Sequence, residues 1–229
     1  MNLSKGFNMI GTQFLQVGGE PLAIATVGVL DSSMAGFDED GVYATEMQIW
    51  NGNGYDYYGW SGTSAGEYME DESLNNMWLN GDFKTDDATS TAGQGFWIKA
   101  ATAGTITLSG EVPSADSVSQ DLVVGFNLVA NPYPGDVQIA NFGQLAASFA
   151  GFDEDGVYAT EMQVWNGNGY DYYGWSGTSA GEYMEDESLN NMWLDGDFKN
   201  PNKTIPFGHG VWIKTPTAGK ITFTSPVAE

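Results

Sequence analysis

Two clusters of carboxylates recur in this chain. The first is FDEDG, with Asp38, Glu39 and Asp40 in one place and Asp153, Glu154 and Asp155 in another. Clustered carboxylates followed by glycine suit a hard oxygen-seeking cation, so Asp38 and Asp40, and again Asp153 and Asp155, are the candidate calcium ligands. The spacing is not that of an EF-hand, because the fifth loop position is Val42, which offers no side-chain oxygen. The second cluster is EYMEDES, Glu67 to Ser73 and Glu182 to Ser188. A solvated acidic turn accounts for either cluster without a ligand. A pair of catalytic carboxylates, as in a glycosidase, needs a fixed separation that spacing along the chain does not supply. His209 is the single histidine, and its counterpart is Gln94, so no chemistry needed twice rests on it. The GxG of Gly93 to Gly95 runs into Trp-Ile-Lys rather than a helix and is not a phosphate cradle. The chain is therefore expected not to be an enzyme.

The aromatic residues carry more information. YDYYGW occurs at Tyr55 to Trp60 and at Tyr170 to Trp175. In an extended strand Tyr55 and Tyr57 face one way and Tyr58 and Trp60 the other, and Tyr170, Tyr172, Tyr173 and Trp175 repeat the arrangement. One face fills a core. The other is a core face too, a protein contact, or a platform for stacking sugars. All eight residues are candidates for binding or assembly.

These clusters lie inside a long repetition. Gly36 to Lys84 returns as Gly151 to Lys199 with only Ile49→Val164 and Asn80→Asp195 changed. The repeat extends at the same offset of 115 through GQGFWIKAATAGTITLSGEV and GHGVWIKTPTAGKITFTSPV. GFNMI at Gly6 matches GFNLV at Gly125 at an offset of 119, so four extra residues sit in the first copy, within QFLQVGGEP. A period of this length matches a small domain rather than a solenoid unit. Residues 1–113 and 120–229 read as two homologous domains joined by 114–119. The 49-residue block holds ten acids and ten aromatics in its first copy and eleven acids and ten aromatics in its second. Independent cores drift by volume-conserving swaps, so near-identity points to two copies docking on the same kind of surface, or to recent duplication.

The elements that position these residues are strands. GVYATEMQIW alternates, Asn-Gly pairs follow at Asn51 to Gly54, and extended chemistry resumes. GFWIKA, TITLSGEV and FNLVA read likewise, with Pro132 and Pro134 stopping the last. Helix is confined to short pieces, expected at Leu22 to Ala35 and Val137 to Ala150. The expectation is an all-β protein of two tandem β-sandwich or small-barrel domains.

The motifs GFN-[LM]-[IV] with NPYP at Asn131 to Pro134, WNGxGY, and GxG[FV]WIK resemble those of secreted and surface β-domain repeat proteins of Gram-negative bacteria. That resemblance implies export and a β fold, and supplies no activity. The first copy departs from it, with GTQFLQ at Gly11 to Gln16 where the second has ANPYPG.

Composition excludes several classes. The chain has 229 residues, 30 acids against 7 lysines, no arginine and a net charge of -23. Such a charge repels phosphate backbones and anionic lipid, so nucleic acid is not an expected partner. Cysteine is absent, which removes disulfides and thiolate metal sites. No apolar run approaches the ~20 residues that span a bilayer as a helix. No secretory leader is visible in MNLSKGFNMIG, although the expected location is extracellular or the cell surface. The leading functional expectation is a structural protein that assembles with copies of itself into a filament, sheath or surface layer. The short MNLSK lead-in, set against SADSVSQDLVV before Gly125, suggests an open strand edge and head-to-tail joining. The alternative is a bivalent carbohydrate-binding module that gains avidity from two equal sites on a polysaccharide.

Overall fold

The computed structural model describes residues 1–226. Its described residues form six antiparallel sheets with only two short α-helices, and the order of elements in the first half of the chain returns in the second. The strands of the first half are β1 (Asn2–Leu3), β2 (Gly6–Gly11), β3 (Leu22–Ala23), β4 (Val29–Leu30), β5 (Glu46–Trp50), β6 (Tyr55–Trp60), β7 (Trp78–Leu79), β8 (Thr89–Ser90), β9 (Gly95–Ala100) and β10 (Gly104–Thr107). Those of the second are β11 (Ser117–Leu122), β12 (Gly125–Ala130), β13 (Val137–Gln138), β14 (Gln144–Leu145), β15 (Glu161–Trp165), β16 (Tyr170–Trp175), β17 (Trp193–Leu194), β18 (Thr204–Ile205), β19 (Gly210–Thr215) and β20 (Gly219–Thr224).

Each half has a five-stranded sheet, ordered β2-β9-β5-β6-β7 or β12-β19-β15-β16-β17. A three-stranded sheet, β1-β10-β4 or β11-β20-β14, faces it across the core. Leu3, Leu30 and Ile106 from the small sheet meet Ile10, Met47, Trp60 and Ile98 from the large one. This is a β-sandwich in each half, and the alternating faces of β5, with Met47 and Ile49, and of β9, with Phe96 and Ile98, supply its core.

The central hairpin forms where Asn-Gly predicted one. Asn51 Oδ1 accepts from the N–H groups of Asn53 and Gly54 at 3.1 and 2.9 Å, and β5 then pairs with β6 from Trp50↔Tyr55 to Glu46↔Gly59. The side-chain oxygen replaces a backbone acceptor in the turn, which is why asparagine serves there.

Three details differ from the sequence reading. Residues 117–119, expected in the connector, are strand, because Ser117, Val118 and Ser119 pair with Thr224, Phe223 and Thr222. The α-helices are α1 (Ala65–Met69) and α2 (Ala180–Met184), while the expected helical stretches yield only single 3-10 turns at Ile24–Thr26 and Ile139–Asn141. The MNLSK lead-in, expected to leave the first half without its opening strand, supplies the short β1, which pairs with β10 at two positions where β11 pairs with β20 at six.

Candidate functional site

The two-faced aromatic hairpins resolve into three environments. Tyr58 and Trp60, and equally Tyr173 and Trp175, lie inside the sandwich cores, at 7%, 1%, 5% and 1% exposure. This corrects their expected place on an assembly face: their side of the strand points at the small sheet. Burial raises the Tyr58 hydroxyl to about 12. Tyr55 and Tyr170 are half-buried in a third apolar cluster, between the halves. Tyr57 and Tyr172 remain open to solvent, at 56% and 60%.

That third cluster is a seam with reciprocal contacts. Met9, Trp97, Leu128 and Trp212 form its buried centre, and Trp50, Tyr55, Trp165 and Tyr170 pack around them. Trp50 stands edge-on to Trp212 with ring centroids 5.6 Å apart, and Trp165 stands edge-on to Trp97 at the same 5.6 Å. Trp50 Nε1 donates to the Phe126 carbonyl at 2.7 Å, and Trp165 Nε1 donates to the Phe7 carbonyl at 3.2 Å. The Gly11 N–H donates to the Gly208 carbonyl at 2.8 Å, and the Ala130 N–H donates to the Gly93 carbonyl at 2.6 Å. Each of these contacts has its counterpart at the equivalent residue, so the halves are related by an approximate two-fold axis. Much of the outer aromatic face is thus spent on the other half of the same chain. Beside the seam lie two related clefts of about 620 and 650 Å³, one walled by Trp50 and Gln94 and the other by Trp165 and His209. Their linings differ because residues outside the repeated block contribute to each.

A different site is built from the repeated block alone. Phe37 stacks on Tyr43 at 5.1 Å and on Tyr68 at 4.8 Å, and Phe83 lies 5.3 Å from Tyr43. Phe152, Tyr158, Tyr183 and Phe198 repeat this at 5.0, 4.8 and 5.4 Å. The cluster sits on the outer face of β6. The Tyr43 ring covers Gly59 so closely that a β-carbon there would overlap it, and Tyr158 covers Gly174 in the same way. Glycine in the middle of YDYYGW is therefore the floor under the cluster. Burial raises the Tyr43 hydroxyl to about 12 and raises Tyr158 as well.

Phe37 is buried, but Tyr68 and Phe83 are each 43% exposed. They wall a pocket of about 550 Å³ together with Gly41, Met69, Asp71 and Lys84. Two clasped loops hold it. In the loop 38–42, Asp38 Oδ1 accepts from the N–H groups of Asp40 and Val42 at 3.0 and 2.9 Å, and Gly41 takes φ +74. In the loop 80–84, Asn80 Oδ1 accepts from Asp82 and Lys84 at 3.0 and 3.2 Å, and the residue at the left-handed position is Phe83, φ +60. Phe198 holds φ +59 in the other half, where Asp195 caps the loop with the same pair of bonds at 3.0 Å each. A β-carbon in that conformation costs roughly 1–2 kcal/mol relative to the right-handed region. The strain puts a ring where the matching loop has glycine.

Of the candidate calcium ligands, Asp38 and Asp153 hold their own loops, and Asp40 and Asp155 are exposed beside them. Among the described residues no three histidine or acidic side chains converge. No helix among them is long and apolar enough to cross a membrane. Sequence reasoning missed Phe37, Tyr43, Tyr68 and Phe83. The parallel between DEDGV and NGDFK, one with glycine and the other with phenylalanine at the fourth place, was the available signal. No protein-family model matches the chain, and neither a curated protein nor a solved structure matches it.

Proposed function

We propose that the protein binds a polysaccharide through two matching aromatic clusters, one on each half, with Tyr68 and Phe83 and then Tyr183 and Phe198 as the stacking surfaces. A single observation carries the reading. The site built wholly from near-identical residues is the outer aromatic pocket, complete with a strained phenylalanine in both copies. Strain held at a solvent-facing ring is an expense that packing alone does not require. The cores and the seam draw on flanking residues that have drifted, so they do not account for the identity of the block. Half-exposed rings over a polar rim suit the apolar face of a pyranose and its hydroxyls. Two such sites on one body raise avidity by about 10²–10⁴ on a polymer, provided that both reach it. An extracellular or surface location accords with such a ligand.

Retention on insoluble polysaccharides tests this. Intact protein is expected to be retained, Phe83→Gly alone weakly, and Phe83→Gly with Phe198→Gly not at all. Equal retention of the double variant overturns the proposal. Self-assembly into a filament or sheath is the competing reading, and Tyr57 and Tyr172 are the exposed hairpin rings left to serve it. Polymer that forms at micromolar concentration without glycan, and that Tyr57→Ser with Tyr172→Ser dissolves, favours assembly instead.

A further inference from the structure

We infer that the twin aromatic sites select a ligand bearing protonated amines, an amino-sugar polymer with free amines, over neutral and anionic glycans. The inference rests on the pockets being ligand sites. It follows from the charges set around the rings.

The first copy of the block carries ten acids and one lysine. Their placement is not even. Asp71 lines the pocket. Glu39 and Asp40 stand on the clasped loop that contributes Gly41, and Asp82 precedes Phe83 on the other. Glu67 and Glu70 flank Tyr68 on and beside α1, and Glu72 follows in the next turn. All seven of these carboxylates are exposed. Among the described residues none of the seven is paired with a lysine. In the second half Lys199 meets Asp197, the counterpart of Asp82, at 4.0 Å with both side chains largely exposed. Elsewhere on the molecule lysines do meet acids, as Lys203 meets Asp171 at 3.1 Å and Lys220 meets Asp121 at 3.0 Å. Seven exposed acids against Lys84 thus leave a net negative charge around the exposed ring faces.

Both features favour the same ligand. A cation is drawn to the face of tyrosine or phenylalanine by the ring quadrupole. It is also drawn by the summed field of the carboxylates, whereas a uronic acid or sulfated sugar is repelled. One exposed carboxylate adds little in water. Several on the loops around one ring cluster, with amines recurring along a polymer, add up to a preference of about tenfold or more that salt removes. The Ser73 hydroxyl and N–H hold the Asp71 carboxyl below the usual carboxylate range, so it stays ionised in mildly acidic solution where sugar amines are protonated. The one base lining the pocket, Lys84, sits at the end of the clasped loop and lies opposite in sign to this preference.

Titration calorimetry of the intact protein near pH 5.5 decides the matter, using β-linked hexamers of glucosamine and N-acetylglucosamine and the α-linked hexamer of galacturonic acid. The expected result is two sites per chain for the glucosamine hexamer, at least tenfold tighter than its acetylated form, with no binding of the galacturonate. The gap is expected to close in about 0.5 M salt. Asp71→Asn with Asp186→Asn, checked for fold by circular dichroism, is expected to narrow it. Equal or tighter binding of the acetylated hexamer overturns the charge selection and leaves the pockets as glycan sites. Glucosamine binding that Phe83→Gly with Phe198→Gly leaves intact overturns both, as does the failure of all three hexamers to bind.

Discussion

Gly11 and Ala130 occupy equivalent positions in the two halves, and they meet. A β-carbon on Gly11 would overlap the methyl of Ala130. The approximate two-fold axis therefore passes through a point where only one of two matching residues has room for a side chain. The neighbouring strand ends close on each other through the Gly11 N–H to the Gly208 carbonyl and the Ala130 N–H to the Gly93 carbonyl. The halves are fitted to one another rather than strung on a connector.

Replacing Gly11 with alanine should push the seam apart. Overpacking of this kind costs about 1–3 kcal/mol. In a chain of this size that lowers the melting temperature by about 2–4 °C per kcal/mol. Gly81→Ala, at an exposed position with nothing within 4 Å, is the control and should be neutral. Calorimetric melting of both variants provides the check.

Within one hairpin, neighbouring aromatics should respond oppositely. Trp60→Ala removes a ring that is 1% exposed in the core and should cost about 3–5 kcal/mol. Tyr57→Ser, on the open part of the strand, should stay within about 0.5 kcal/mol. Urea titrations separate the two by their midpoints.

Phe83→Gly should leave stability nearly unchanged. Relief of the left-handed backbone at φ +60 offsets the stacking lost with Tyr43. The two effects are each on the order of 1 kcal/mol. A melting temperature that falls by more than about 5 °C would show the ring to be chiefly structural.

Alkaline titration should unfold the protein through its buried tyrosines. The Tyr43 and Tyr58 hydroxyls are raised to about 12 by burial, and those of Tyr158 and Tyr173 are raised for the same leading reason. The protonated form is the one the fold favours. Its stabilisation is whole below the ordinary tyrosine value near 10 and drains as pH climbs from there through 12. Phenolate absorbance from these four should rise together with loss of the near-ultraviolet circular dichroism, not before it.

Moderate salt should stabilise the fold. With a net charge of -23 the folded chain repels itself, and screening at about 0.15 M shortens the reach of that repulsion to ~8 Å. The melting temperature in 0.15 M sodium chloride should exceed that in 0.01 M, and a decrease would contradict the account.

The all-β class, the repeat and the central hairpins were legible in the sequence, because each is written in local terms. Alternation fixes which side chains share a face of β5, and Asn51 closes its turn through its own side chain. The short helix at Ala65–Met69 left no such mark, since five residues are too few for a helical period to show. Alternation also says nothing of what covers a face. That Tyr58 meets a core and Tyr55 a seam was decided by the tertiary structure, where Trp165 reaches the Phe7 carbonyl across 158 positions of chain. The outer pocket depended on the fold for the same reason, and on one local rule being broken. Left-handed turns ordinarily go to glycine or asparagine, as at Gly41, because a β-carbon clashes there. Phe83 takes that conformation because the clasp of Asn80 and the stack with Tyr43 hold it, and only packed neighbours can offset that clash.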